Sequence, residues 1–128
     1  MLDRVPLASP ALTVSQEYQK RVRKIGFEFS DLQAVHAKLA EELQELHQAT
    51  TPEEQSEEIG DLLFVIAHWA TWLKIDPEEA LRRANRKFRH RFQAMEEFAR
   101  QQGRELASYS LEEWMDLWQR AKARQTQQ

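Results

Sequence analysis

Apolar residues recur along this chain at three- and four-residue intervals, the spacing of one face of an α-helix. Leu32, Val35, Leu39, Leu43 and Leu46 form one such stripe, Ile59, Leu62, Ile66, Trp69 and Leu73 a second, and Leu81, Ala84, Phe88, Phe92 and Met95 a third. Start and stop signals frame these stripes. A short helix is expected from about Thr13 to Ile25, halted at Gly26. Phe27-Glu28-Phe29 reads as an extended or turning segment. Ser30 offers an N-cap and Gln33 the reciprocal acceptor for a helix reaching about Gln48. Thr51-Pro52-Glu53-Glu54 opens a third helix to about Lys74, with the proline placed where a first turn tolerates it. Asp76-Pro77-Glu78-Glu79 repeats the signal for a fourth, to about Gln101 and Gly103. Ser110-Leu111-Glu112-Glu113 caps the last. Residues 1–12, with Pro6 and Pro10, read as an arm or linker, 13–124 as the folded domain and 125–128 as a polar tail. The pattern shows neither strand-type alternation nor an internal repeat. An all-α bundle of about five helices is the expected fold.

Composition narrows this picture. The chain has 128 residues, 30% of them charged, with only 3 Gly and 4 Pro, which fits one helical domain. It lacks cysteine, so a disulfide scaffold is excluded and a thiolate zinc site with it. The first residues have no apolar stretch of signal-peptide length, and no run is long enough to span a bilayer. Cytoplasmic residence without membrane attachment is therefore the expectation. A net charge of −3 argues against a nucleic-acid polymer as partner. The charge is uneven, with acid gathered at 41–61 and base at 82–91.

The acids carry the chemistry. Glu42/Glu45 and Glu58/Asp61 are each three residues apart, so each pair shares a helix face. Two such pairs on facing helices would bring four carboxylates together. That cluster repels itself unless a cation fills it, and hard oxygen donors select Mg²⁺, Mn²⁺ or Ca²⁺. Glu42 lies at the edge of its apolar stripe, with Glu45 and Lys38 just beyond it. Glu58 and Asp61 flank Leu62 directly, and Gly60 between them leaves room for close approach. Glu41, Glu53, Glu54 and Glu57 read as an exposed acidic face.

On the fourth helix Lys87 and Arg91 are four apart beside the stripe, with Asn85 on its other edge. Such cations suit a polyphosphate whose other oxygens are held by a metal; paired with nearby glutamates, they would instead be structural. Trp69 and Trp72 read as core or interface. Trp114 and Trp118 read as core, or one of them as a surface for a base, with core preferred for Trp114. The four histidines lack metal-ligand spacing, and no glycine-rich phosphate loop or nucleophile pattern is present.

Three stretches together, Lys38 to Glu45 (K-x-x-E-E-x-x-E), Glu57 to Phe64 (E-E-x-G-D-L-L-F) and Ala84 to Phe92 (A-N-x-K-F-x-x-R-F), resemble the MazG family of nucleoside triphosphate pyrophosphohydrolases. The likeness extends over almost the whole chain. The opening L-D-R-V-P, the segment Gln19-Lys20-Arg21 and the closing Leu111-Glu112-Glu113-Trp114 resemble the C-terminal domain of two-domain members. The chain departs at Phe27-Glu28-Phe29, where members often read F-D-W. The resemblance implies an all-α fold and cleavage of a nucleoside triphosphate to monophosphate and pyrophosphate, with Mg²⁺ as cofactor and Mn²⁺ as a substitute. It implies Glu42, Glu45, Glu58 and Asp61 as metal ligands and Lys87 and Arg91 as phosphate-binding catalytic groups. Asn85 and Lys38 would lie beside the phosphates, Trp118 near the base, and Glu41 where it orients the attacking water. The expected partner besides substrate is a second copy of the chain, giving at least a dimer that completes the bundle. The alternatives are a Mg²⁺–nucleotide binding module of negligible turnover and a structural helical module with solvated acids.

Overall fold

The computed structural model describes residues 1–126, which form five α-helices and one 3₁₀ turn. These are α1 (Ala11–Arg23), α2 (Leu32–Gln48), α3 (Pro52–Trp72), α4 (Pro77–Gln101) and α5 (Leu111–Thr126), with the 3₁₀ turn at Leu106–Ser108. The fold is all-α, as the periodicity predicts. Residues 127–128 of the expected polar tail lie outside the described residues, and Gln125 and Thr126 belong to α5.

Helix starts follow side-chain chemistry. Thr51 Oγ1 accepts from the Glu54 amide at 3.1 Å and opens α3, with Pro52 in its first turn. Asp76 Oδ1 accepts from the Glu78 amide at 3.0 Å, just ahead of α4. At α5 the capping is reciprocal: Ser110 Oγ accepts from the Glu113 amide at 3.2 Å, and the Ser110 amide donates to Glu113 Oε1 at 2.9 Å. At α2 the cap is Asp31 and not Ser30, because the Asp31 carboxylate accepts from the Ala34 amide at 2.8 Å. A carboxylate one residue nearer the helix is the better acceptor, and its negative charge suits the N-terminus. Gly26 and Gly103 follow α1 and α4 with φ of +90° and +66°, a conformation that costs other residues more.

The chain forms two compact units, Met1–Ala80 and Leu81 onward. In the first, α1 and α2 both pack on α3. Val5, Val35, Val65 and Ala67 are its buried apolar residues, and Gln19, Glu42 and His68 are buried among them. The Gln19 amide donates to the Phe64 carbonyl at 3.1 Å, tying α1 to α3. His36 meets the Trp69 ring edge-on at 4.6 Å, tying α2 to it. The buried face of α3 differs from the expected stripe: Val65, Ala67 and His68 are inside, while Ile59, Ile66 and Leu73 are exposed. This helix is apolar on more than one side, so its periodicity does not choose a face.

The second unit has its own core of Met95, Ala99, Tyr109, Leu117 and Ala121, with Phe98, Leu106 and Trp118 against it. Leu81, Phe88 and Phe92 of the expected α4 stripe are exposed. Trp114 departs from the expected core position and stays 38% exposed. Its indole nitrogen donates to the Leu106 carbonyl at 2.7 Å, so the polar edge is anchored while a ring face stays open. Among the described residues no helix is long and apolar enough to cross a membrane.

Candidate metal and nucleotide site

α2 and α3 bring acids from two separate stretches of sequence to one point. Single carboxylate oxygens of Glu42, Glu58 and Asp61 lie within 4.8 Å of one another. Glu42 is buried, Glu58 half-buried and Asp61 exposed, so the group is open on one side. On α3 the three-residue spacing of Glu58 and Asp61 sets both toward α2. Glu45, one turn beyond Glu42, is half-buried. It is not in the tight group of three, but its carboxylate acts on Glu58 electrostatically.

Two features mark this cluster as chemically incomplete. Glu42 Oε2 and Glu58 Oε2 are both shielded from solvent and accept no hydrogen bond. Such groups normally find a partner. Burial, reinforced by the Glu42 and Glu45 carboxylates, pushes the Glu58 carboxyl up to about 7. Burial also pushes Glu42 upward, but the Lys38 ammonium overcomes this and holds it below the usual carboxylate range. Lys38 Nζ stands 3.1 Å from Glu42 Oε1 and 3.5 Å from Glu41 Oε1. The Lys38 ammonium is held above its usual value, mainly by its hydrogen bond to Glu42. An all-oxygen donor set with two unpartnered buried atoms fits a hard divalent cation.

Gly60 lies between Glu58 and Asp61, and no protein atom stands within 4 Å of where its Cβ would be. Packing among the described residues therefore does not demand glycine there. Glu41 is exposed and meets Lys38 from the solvent side.

Asn85, Lys87, Arg91 and Trp118 belong to the second unit. Asn85 and Lys87 are exposed on α4. Arg91 packs its guanidinium over the Trp118 ring, 5.3 Å from the centroid, and donates from Nε to Gln125 Oε1 at 2.7 Å. Phe88 contacts the same indole at 5.7 Å. Arg91 and Trp118 are thus brought together, with the guanidinium oriented by two neighbours.

Gln19 and His68 did not emerge from the sequence as candidates, although both are buried. Leu12, Ser15, Gln19 and Val22 share a face by helical spacing, and an amide on such a face was the signal available. Burial chiefly, and the nearby Arg23 charge, push the His68 imidazole below its usual value, and its Nε2 accepts from Trp72 Nε1 at 3.0 Å.

By fold and site this is an all-helical protein whose paired acidic helix faces are able to coordinate a divalent metal. It belongs to the MazG nucleotide pyrophosphohydrolase domain family, whose profile matches residues 30–95. The nucleoside triphosphate pyrophosphohydrolase/pyrophosphatase MazG of Thermotoga maritima is 42% identical over 113 residues, covering 88% of this chain and 44% of that protein. The nucleoside triphosphate pyrophosphohydrolase of Escherichia coli K12 is 36% identical over 126 residues, 94% of this chain and 48% of that protein. An uncharacterised Bacillus subtilis protein, YabN, is 51% identical over 65 residues, 51% of this chain and 13% of its own length. The chain thus spans a little under half of the two pyrophosphohydrolases, 44% and 48%.

Proposed function

We propose that this protein hydrolyses nucleoside triphosphates to the monophosphate and pyrophosphate with Mg²⁺ as cofactor, Mn²⁺ serving in its place. The observation that carries the reading is the convergence of Glu42, Glu58 and Asp61 within 4.8 Å, with buried oxygens awaiting a partner. Membership of the family and likeness to two pyrophosphohydrolases support the linkage cleaved.

In this reading Glu42, Glu45, Glu58 and Asp61 hold the metal. When bound, Mg²⁺ polarises the phosphoryl oxygens and makes a nearby water a better nucleophile. Glu41 orients that water by accepting its hydrogen. The water oxygen bonds to the α-phosphorus in line while the bond to the bridging oxygen breaks, and pyrophosphate leaves. Lys87 and Arg91 neutralise charge on the transferring and leaving oxygens, as forked or point cations do for phosphate. Lys38 and Asn85 contact the phosphates, and Trp118 offers a flat surface for the base. No covalent intermediate forms, because the site supplies no activated nucleophile of its own.

The active species is at least a dimer. Exposed Ile59, Leu63, Phe64 and Ile66 on α3 and Phe88 and Phe92 on α4 leave apolar surface that a second copy would cover. Sedimentation as a monomer at micromolar protein would remove this part. The protein acts in the cytoplasm, without a nucleic-acid or membrane partner. The decisive experiment is a panel of nucleoside triphosphates with Mg²⁺ and product separation. Monophosphate plus pyrophosphate is the expected result. Diphosphate plus orthophosphate would overturn the linkage, and tight Mg²⁺-dependent binding without turnover would identify a binding module.

A further inference from the structure

Residues 24–31 join α1 to α2, and Phe27, Glu28 and Phe29 of this segment line a cavity of about 550 Å³ in the first unit. His68 lines the same cavity from α3 and is only 8% exposed. Two side-chain ties hold the segment in place. The Arg23 guanidinium, at the end of α1, pairs with Glu28. The Phe29 ring meets the His68 imidazole edge-on, with centroids 5.0 Å apart. Gly26, at φ +90°, turns the chain out of α1 into the segment.

The surroundings of His68 do not tolerate a proton on both ring nitrogens. Its Nε2 accepts from Trp72 Nε1 at 3.0 Å. An indole nitrogen only donates, so that bond lasts only while Nε2 is bare. The Arg23 guanidinium stands over the Trp72 ring, 5.7 Å from its centroid, and would be a second cation beside an imidazolium. Glu28 faces His68 with the opposite charge, but its carboxylate is already committed to Arg23. Tyr18 of α1 and Lys38 of α2 share the cavity lining, and Lys38 is turned to Glu41 and Glu42. Burial first, and the Arg23 charge second, hold the imidazole below its ordinary value. A state in which the ring reaches water therefore binds the proton more readily, and acid favours that state.

We propose that His68 is an acid-sensitive latch on residues 24–31: uncharged, it holds Trp72 and seats Phe29, and on taking a proton it releases both, so that the segment turns about Gly26 and uncovers the cavity. The imidazolium is then hydrated instead of enclosed beside Arg23. The segment is closed at pH 7 and above and opens as the pH falls below about 6.5, the ordinary histidine value. The device is independent of the hydrolytic reading above.

The chain lacks cysteine, so Val65→Cys, at a 5% exposed position in the cavity wall, supplies a single thiol that reports opening. Its reaction rate with 4,4′-dithiodipyridine is read against free cysteine at each pH, with circular dichroism followed in parallel. Between pH 7.5 and 5.5 the relative rate is expected to rise several-fold with the helical signal unchanged, about tenfold being the ceiling for one proton. Adding His68→Gln, which keeps a polar side chain that does not ionise, is expected to flatten the profile. A flat profile in the Val65→Cys protein would overturn the proposal, whether or not the double variant folds. A relative rate that falls in acid would do the same, because it means that the imidazolium draws Glu28 inward. So would a rise that survives His68→Gln, or one that follows a loss of helix. If His68→Gln does not fold, Trp72→Phe gives the second reading. It removes the donor that requires a bare Nε2, and the rise must then shrink by about half or more. An unchanged rise in that variant would sink the latch.

Discussion

The Lys38 ammonium stands 3.1 Å from Glu42, an acid that is only 4% exposed. A carboxylate so enclosed is normally held by a counter-charge, and here the pair lies on consecutive turns of α2. Replacing Lys38 with methionine keeps the stem and removes the charge. Because the Lys38 side chain is itself 37% exposed, the loss is smaller than for a fully buried pair, about 1–3 kcal/mol. Urea denaturation in EDTA measures it. Saturating Mg²⁺ is expected to recover part of the loss by taking over the counter-charge. A variant equal to wild type in EDTA would show that Glu42 does not depend on Lys38.

The acidic cluster makes the opposite prediction for stability without metal. Glu58 and Asp61 face Glu42 closely, and neutralising them removes repulsion. The Glu58→Gln/Asp61→Asn double variant is therefore expected to melt no lower than wild type in EDTA. Wild type should gain about 2.7 kcal/mol at Mg²⁺ one hundred times its dissociation constant, and the double variant nothing. Pyrophosphate release should fall by at least about 100-fold, a loss of roughly 2.7 kcal/mol in transition-state stabilisation. A melting curve for the double variant that still rises with Mg²⁺ would place the ion elsewhere.

Gly60 separates folding from function. A methyl group there meets no protein atom within 4 Å, and alanine favours a helix interior by about 1 kcal/mol. Gly60→Ala should raise the melting temperature. If the gap serves the close approach of a ligand, the same methyl crowds it and raises KM by roughly tenfold, the cost of a modest steric clash. Higher stability with unchanged kinetics would mean the glycine has no part in the site.

The sequence carried much of this arrangement in local signals. Thr51, Asp76 and Ser110 cap their helices through short-range hydrogen bonds that depend only on neighbouring residues. The convergence of Glu42 with Glu58 and Asp61 was legible for a related reason: helical spacing fixes each pair on one face, and shared charge demands a common solution. What stayed hidden depends on partner choice. α3 is apolar on several sides, so spacing did not reveal that Val65 and His68 turn inward while Ile66 turns out. Gln19 was hidden because polarity suggests exposure, and only its tie to the Phe64 carbonyl explains its burial. Asp31 displaced Ser30 as the α2 cap, a choice between adjacent acceptors that pattern alone leaves open.

In the second unit, Arg104 and Glu113 form a pH-dependent clasp. Arg104 Nη1 donates to Glu113 Oε2 at 2.8 Å, while the Ser110 amide donates to Glu113 Oε1 at 2.9 Å. The Arg104 hydrogen bond first, and the Ser110 amide second, hold the Glu113 carboxyl down at about 2, against 4.5 for an ordinary glutamate. A folded value below the unfolded one means that the unfolded chain binds the proton more readily. The clasp therefore contributes in full above about pH 4.5, and its contribution disappears as the pH falls toward 2. Glu113→Gln removes the ionisation while keeping the size of the side chain. The gap in urea midpoint between wild type and this variant should be greatest near pH 7, begin to shrink below about pH 4.5 and close near pH 2. Arg104→Met should show the same window, because it removes the other half of the pair. A gap that persists unchanged to pH 2 would show that Glu113 acts through packing or capping rather than through its charge.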